Sequence, residues 1–264
     1  MNINADWKIK QNSDVLQGGS GMKRQELLNK AKPIFFNTEM MVEAMLDNKK
    51  TVTRRIVKFK GTKNPNWTGY VKDGLNLYNG NNEVCNEKPP YKVGDILYVR
   101  ETWCWCPCWD CGMDTSEGCC DETAHKFYNI KRKEWGCYGY KASWELNSPP
   151  FDRWYPSIYM PKEVARIFLR VKNVKVERLQ DIVTGDYKTP LNINAEGMYK
   201  SCCNCTHVNG DCKDFISQND CKLLNEFKSL WNGTLKKTDI DRYGWKANPW
   251  VWVIEFERIT EEMK

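Results

Sequence analysis

The sequence predicts an α+β fold, and two patterns carry that prediction. Apolar residues alternate with basic ones through Ala165–Leu179, and in Ile96–Trp103 and Trp250–Ile259 apolar residues two apart share one face, the period of a strand. In Thr38–Leu46 and Cys221–Trp231 the apolar residues recur instead at helical spacing. A chain of 264 residues can bury a sizeable core, and a single domain over residues 22–264 is expected behind a flexible segment at 1–21.

Taken in order, residues 1–21 are polar, lack an amphipathic period and end in Gly18-Gly19-Ser20-Gly21, which reads as a linker or an expression remnant. Met22–Ala31 suits a short helix, and Pro33-Ile34-Phe35-Phe36 supplies a first strand within Lys32–Asn37. Met41, Ala44 and Met45 mark one face of a helix over Thr38–Leu46 that the Asp47-Asn48 pair stops. Lys58–Pro90 is polar and rich in Gly, Asn and Lys, an excursion with room for a hairpin.

Gly94-Asp95 turns the chain into a strand through Trp103, with Leu97, Val99, Glu101 and Trp103 on one face and Tyr98 and Arg100 on the other. A glutamate among apolar neighbours needs a partner, so Glu101 is either ion-paired with an arginine or part of a site. After a cysteine-rich stretch, Tyr138–Ser143 reads as a strand, and Trp154–Pro161 is too rich in proline for a central one. Ala165–Leu179 gives one bent strand or two, and Leu179–Ile182 begins a helix or turn. Leu224, Phe227, Leu230 and Trp231 share a helix face, and Trp250, Trp252, Ile254 and Phe256 share one face of the last strand.

The formal net charge is +6, from 40 basic and 34 acidic residues, which permits a nucleic-acid partner without requiring one. There is no run of 18 apolar residues and no charged-then-apolar start, so a cytoplasmic protein without a membrane partner is expected.

The densest polar chemistry lies just past the first long helix, in Lys49-Lys50-Thr51-Val52-Thr53-Arg54-Arg55. Such a run is either a solvated turn whose cations suit a helix C-terminus or a site facing something anionic. It resembles the signature of the ASCH domain, a member of the PUA-like superfamily, in which a helix leads into a Gly-x-Lys-x-x-Thr-x-Arg-like turn and strand. Asn48 stands at the glycine position, a mild departure because Asn tolerates the left-handed conformation best after Gly. Lys50, Thr53 and Arg55 fall on the Lys, Thr and Arg positions. The resemblance continues at Val93–Trp103, at Ala195-Glu196-Gly197 and in Asn248–Ile259, and with its Arg-Glu-Thr-Trp, Tyr-Lys-Ala and Pro-Ser-Ile-Tyr-Met-Pro stretches the chain resembles the larger ASCH proteins carried by bacteriophages and prophages.

That resemblance implies a PUA-like small mixed or antiparallel β-barrel flanked by helices, with insertions at about residues 58–90, 104–137 and 184–220. It also implies recognition of RNA or a modified nucleoside, with Lys50, Thr53 and Glu196 as the catalytic set of an amidohydrolase acting on N4-acylated cytidine. A lysine beside Lys49, Arg54 and Arg55 has a lowered pKa and can take the threonine proton, while Glu196 protonates the departing nitrogen. On a regular strand Lys50 and Thr53 would face opposite sides, so the pair converges if Lys50 still belongs to the turn. A non-catalytic module would instead use Lys50, Arg54, Arg55, Arg100 and Arg166 on phosphates, with tryptophans stacking on bases and Glu101 lining the cleft. Roughly three in four of the twelve tryptophans should be core or rim. A third reading is a phage protein whose insertions engage a host protein. The two histidines, His125 and His207, lie in insertions and give little support to a histidine-based ribonuclease.

Thirteen cysteines in a reducing compartment suggest thiols or metal ligands. Cys104, Cys106, Cys108, Cys111, Cys119 and Cys120 form one group and Cys202, Cys203, Cys205 and Cys212 another. Cys108-x-x-Cys111 and Cys202-x-x-Cys205 have the chelate spacing of a structural zinc site, and the alternative is a set of unligated thiols.

Overall fold

The computed structural model describes residues 24–36, 38–59, 70–71, 76–78, 84, 87–107, 127–144, 153–184, 195–198 and 222–260. Its helices are α1 (Arg24–Lys30), α2 (Glu39–Leu46), α3 (Asp181–Thr184), α4 (Lys222–Gly233) and α5 (Ile240–Tyr243). Its strands are β1 (Lys32–Phe35), β2 (Val52–Ile56), β3 (Tyr70–Val71), β4 (Leu77–Tyr78), β5 (Ile96–Arg100), β6 (Trp103–Pro107), β7 (Phe127–Asn129), β8 (Glu134–Tyr140), β9 (Phe168–Arg178) and β10 (Trp250–Arg258). The fold is mixed α+β, as the sequence predicts. Its main sheet is open rather than closed into a barrel, in the order β1-β5-β9-β10-β2. No described helix is long and apolar enough to cross a membrane.

The chain forms two compact units, and the division falls within α2 and within β5. One unit comprises Ala44–Leu97 and Phe168–Ile259. Here β10 runs antiparallel to β2 on one side and β9 on the other, with Val253 opposite Arg54 and Ile254 opposite Thr53. Trp250 through Ile254 are all buried, so both faces of β10 are covered, not the single face expected. A strand buried on two faces reads as a continuous apolar run, and Val251 and Val253 supply the second face. Where one bent strand or two is expected, β9 is a single strand, and its register with β10 slips between Glu255 and Phe256.

Helix α4 buries Leu224, Phe227 and Trp231. The Trp231 indole donates to Tyr243 O at 2.8 Å and Phe227 meets Trp245 edge-on, fastening α4 to the segment after it. In the excursion after residue 58, β3 and β4 pair as an antiparallel hairpin.

The other unit comprises Met1–Glu43, Tyr98–Ile167 and Thr260–Lys264. A three-stranded sheet, β6-β8-β7, is its framework. The single strand expected over Ile96–Trp103 is broken at Glu101-Thr102, where the chain leaves the main sheet and re-enters this one as β6. Cys104 to Pro107, at the start of the expected insertion, are therefore strand. Trp154–Pro161 is no central strand: it bridges Trp103 through Tyr155 and turns at Ser157–Tyr159.

Candidate functional site

Helix α2 ends in a tight reversal that turns the lysine run inward. Ala44 O accepts from Lys49 N at 2.7 Å and Lys50 N at 2.9 Å, and Asn48 takes φ 55°, the left-handed conformation its side chain tolerates. Thr51 N then donates to Ala195 O at 2.9 Å, and Phe256 N donates to Thr51 O at 2.8 Å. These bonds stitch the bend to the short 195–198 segment and to β10 before β2 begins at Val52. Lys50 lies in the bend before β2, whereas Thr53 and Arg54 are neighbours on β2, and alternation points Thr53 away from the face on which Arg54 reaches Glu196.

Gly197 lets the two segments meet closely. Its φ is 88°, and a Cβ there would stand 2.9 Å from Ala44 Cβ and 3.3 Å from Lys50 Cβ. Glu196 is thereby delivered to Lys50. Lys50 Nζ donates to Val52 O, Glu196 O and Glu196 Oε2, each at 2.8 Å, which uses all three ammonium hydrogens. Arg54 Nη1 donates to Glu196 Oε1 at 2.8 Å. The rest of that guanidinium grips Glu177 Oε1, from Nε at 3.1 Å and Nη2 at 2.7 Å. Lys175 Nζ lies 3.3 Å from Glu177 Oε2 at the outer end of the chain of charges. Thr53 is buried beside this cluster in sequence, between Val52 and Arg54 on β2.

Burial pulls the Lys50 pKa down from its ordinary range, and Arg55 and Arg54 push the same way against the Glu196 carboxylate. Burial alone would raise Glu196, but Lys50 and Arg54 outweigh it and hold the carboxyl below its usual 4.5. Arg55 is lowered by burial, opposed by Tyr91 and by Glu196. The 2.8 Å contact of Lys50 Nζ with Glu196 Oε2 has the geometry of an ion pair. A proton moving along the 2.8 Å contact from Lys50 to Glu196 would make an amine base and a carboxylic acid in one step. Arg54, bound to the same carboxylate, opposes that step.

Arg100 and Glu101 belong to the other unit, and their partners are there. Glu101 accepts from Arg166 Nε at 2.9 Å and Nη2 at 2.7 Å, and the Arg166 guanidinium lies 4.2 Å from the Tyr140 ring centroid. The Tyr140 hydroxyl donates to Val164 O. Arg100 Nη1 donates to Ile158 O at 3.0 Å. The ion-paired reading of Glu101 is the one this geometry displays.

Two residues of the cluster escaped sequence reasoning. Glu177 follows Val176 on an alternating strand and looks like an ordinary solvent-side glutamate; nothing in the pattern pairs it with an arginine 123 positions earlier. Gly197 enters the sequence argument only as the end of a tripeptide match. Cys108, Cys111, Cys202 and Cys205 lie outside the described residues, and among the described residues no group of three His, Cys, Asp or Glu is arranged to hold a metal ion.

No protein-family model matches the chain, and neither a curated protein nor a solved structure matches it.

Proposed function

We propose that the chain is a PUA-like protein of the ASCH type that recognises a nucleoside or RNA and hydrolyses the amide of N4-acylated cytidine at Lys50, Thr53 and Glu196. One observation carries this reading: Lys50 Nζ and Glu196 Oε2, 146 residues apart in the chain, meet at 2.8 Å in a buried cluster beside the threonine-bearing strand. The Thr53 hydroxyl attacks the amide carbonyl and gives its proton to the Lys50 amine. Glu196, in its acid form, protonates the departing cytosine N4, and water then releases the acyl group from threonine.

The test is release of cytidine from N4-acetylcytidine, followed by chromatography. Wild type turns over, and Lys50→Ala, Thr53→Ala and Glu196→Gln each lose about 10²–10⁴-fold. Undiminished turnover in Thr53→Ala would reject the covalent route.

A second reading, binding without turnover, is favoured by the saturation of Lys50. With all three hydrogens donated, Nζ has no lone pair for a threonine proton. Tight RNA or nucleoside binding by a protein that leaves N4-acetylcytidine intact would select it. Structural zinc at Cys108, Cys111, Cys202 and Cys205 completes the proposal, with cytoplasmic placement in a bacterial host and a host protein as a further partner. Absence of zinc in the purified protein, with freely titrating thiols, would reject the metal.

A further inference from the structure

Three of the thirteen cysteines stand together in the β6-β8-β7 sheet. Antiparallel β6 and β8 set Cys106 opposite Cys137 and Cys104 opposite Gly139. Residues two apart on a strand share a face, and directly opposed residues share it too. Cys104 Sγ lies 3.7 Å from Cys106 Sγ. Cys104 and Cys106 are buried, whereas Cys137 is only half-buried. Gly139 makes the space: a Cβ there would stand 2.8 Å from Cys104 Sγ and 3.1 Å from Cys106 Sγ. Packing accounts for two buried thiols acting as small apolar side chains. It does not account for a third, less buried cysteine set directly opposite one of them.

We propose that Cys106 and Cys137 form a cross-strand dithiol that a low-molecular-weight disulfide converts into a disulfide bond. Opposed residues of an antiparallel pair have Cα atoms about 4.5–5.5 Å apart, inside the roughly 4.4–6.8 Å span that a disulfide bridges. Cys104 and Cys106 are closer in sequence but are spaced by about 6.6 Å along a strand, at the far end of that span, and joining them would distort β6. The cross-strand partner is therefore the one Cys106 takes.

The chemistry starts at the accessible sulfur. The Cys137 thiolate attacks one sulfur of oxidised glutathione, the glutathione S–S bond breaks, and one glutathione leaves. Cys106 then attacks Cys137 Sγ in that mixed disulfide, the bond to the second glutathione breaks, and the Cys106 proton goes to the departing thiolate. Two protein thiols lose two electrons and one glutathione disulfide becomes two thiols. Hydrogen bonding with Cys104 and Cys137 that favours the protonated thiol, together with burial, pushes Cys106 far above its usual range, so the second step is slow near neutrality and quickens as pH rises.

The test treats the full-length protein with oxidised glutathione at pH 8, blocks remaining thiols by alkylation, digests with trypsin and maps the peptides by mass spectrometry. Cleavage after Lys133 and Lys141 gives a peptide whose sole cysteine is Cys137, and cleavage after Arg100 and Lys126 gives the one that holds Cys106. The expected result is loss of alkylated 134–141 and a matching gain of 134–141 joined to 101–126, with fragmentation placing the bond at Cys106. Cys106→Ser abolishes that linkage and Cys104→Ser keeps it. Cys137 still alkylatable after prolonged oxidation, or joined to Cys104, Cys108 or Cys111 as often as to Cys106, overturns the proposal. Should Cys106→Ser fail to fold, the fragmentation map of wild type decides by itself.

Discussion

Among the described residues Glu101 and Glu196 are buried carboxylates gripped by arginine, yet their surroundings differ in the number of charged partners and in access to water. Glu101 meets one guanidinium in a two-bond fork, and Arg166 keeps 26% of its side chain exposed. Glu196 meets two cations, Lys50 and Arg54, which are 1% and 2% exposed, with Arg55 acting on it from further off. The first is a neutral one-to-one strap. In the second, Arg54 bridges Glu196 to Glu177 while Lys50 holds Glu196 from the other side, and a carboxylate so interlocked is part of the local structure as well as a candidate reagent.

Removing each carboxylate separates these roles by size. Glu196→Ala removes the buried carboxylate that Lys50 and Arg54 share, leaves Arg54 to Glu177, and should lower stability by about 3–5 kcal/mol in urea or guanidinium titrations. Glu101→Ala leaves Arg166, which reaches solvent, and should cost roughly 1.5–3 kcal/mol, the range for a charged hydrogen-bonded partner. Equal losses would erase the distinction between strap and cluster.

The glycines give a second contrast, within one unit. Gly197 and Gly94 both have positive φ, 88° and 85°, but a Cβ at Gly94 meets nothing within 4 Å. Gly94→Ala should therefore cost about 1–2 kcal/mol, the strain of a left-handed alanine. Gly197→Ala adds the 2.9 Å approach to Ala44 and should roughly double that cost while pushing Glu196 off Lys50. Similar losses for the two would show that the backbone relaxes and that close approach is not what sets the site.

How much of this was legible in the sequence follows from which interactions are local. Met41, Ala44 and Met45 are all buried on α2, and Asn48 does take the left-handed position, because helix spacing and turn chemistry are properties of a few adjacent residues. The break at Glu101-Thr102 was invisible. Alternation runs straight through it, and only tertiary pairing decides that β5 and β6 belong to different sheets. The meeting of Lys50 with Glu196 came from a resemblance, not from any pattern, since contacts across 146 residues leave no periodic trace. Arg54 was expected to face a ligand; it faces Glu177 and Glu196, which no charge run could foretell.

Acid should act on the Glu196 cluster in a predictable direction. Its folded pKa is held below 4.5, so its contribution to stability is complete above that value and is lost as pH falls through the lowered one. The unfolding free energy of wild type should decline on that acid limb, and Glu196→Gln, with no carboxyl to protonate, should flatten it. Parallel declines in the two proteins would place the acid sensitivity elsewhere.

The smallest effect is expected at the outer end of the cluster. Glu177 is 14% exposed and shares its oxygens between Arg54 and Lys175, so Glu177→Gln keeps the shape, loses one charge and should cost on the order of 1 kcal/mol. The informative quantity is the acid limb. With Glu177 neutral, Arg54 has only Glu196 as an anionic partner, and the Glu196 pKa should fall further, moving the acid transition to lower pH. A stability loss without that movement would make Glu177 a packing residue and leave Lys50 and Arg54 to set the carboxylate by themselves.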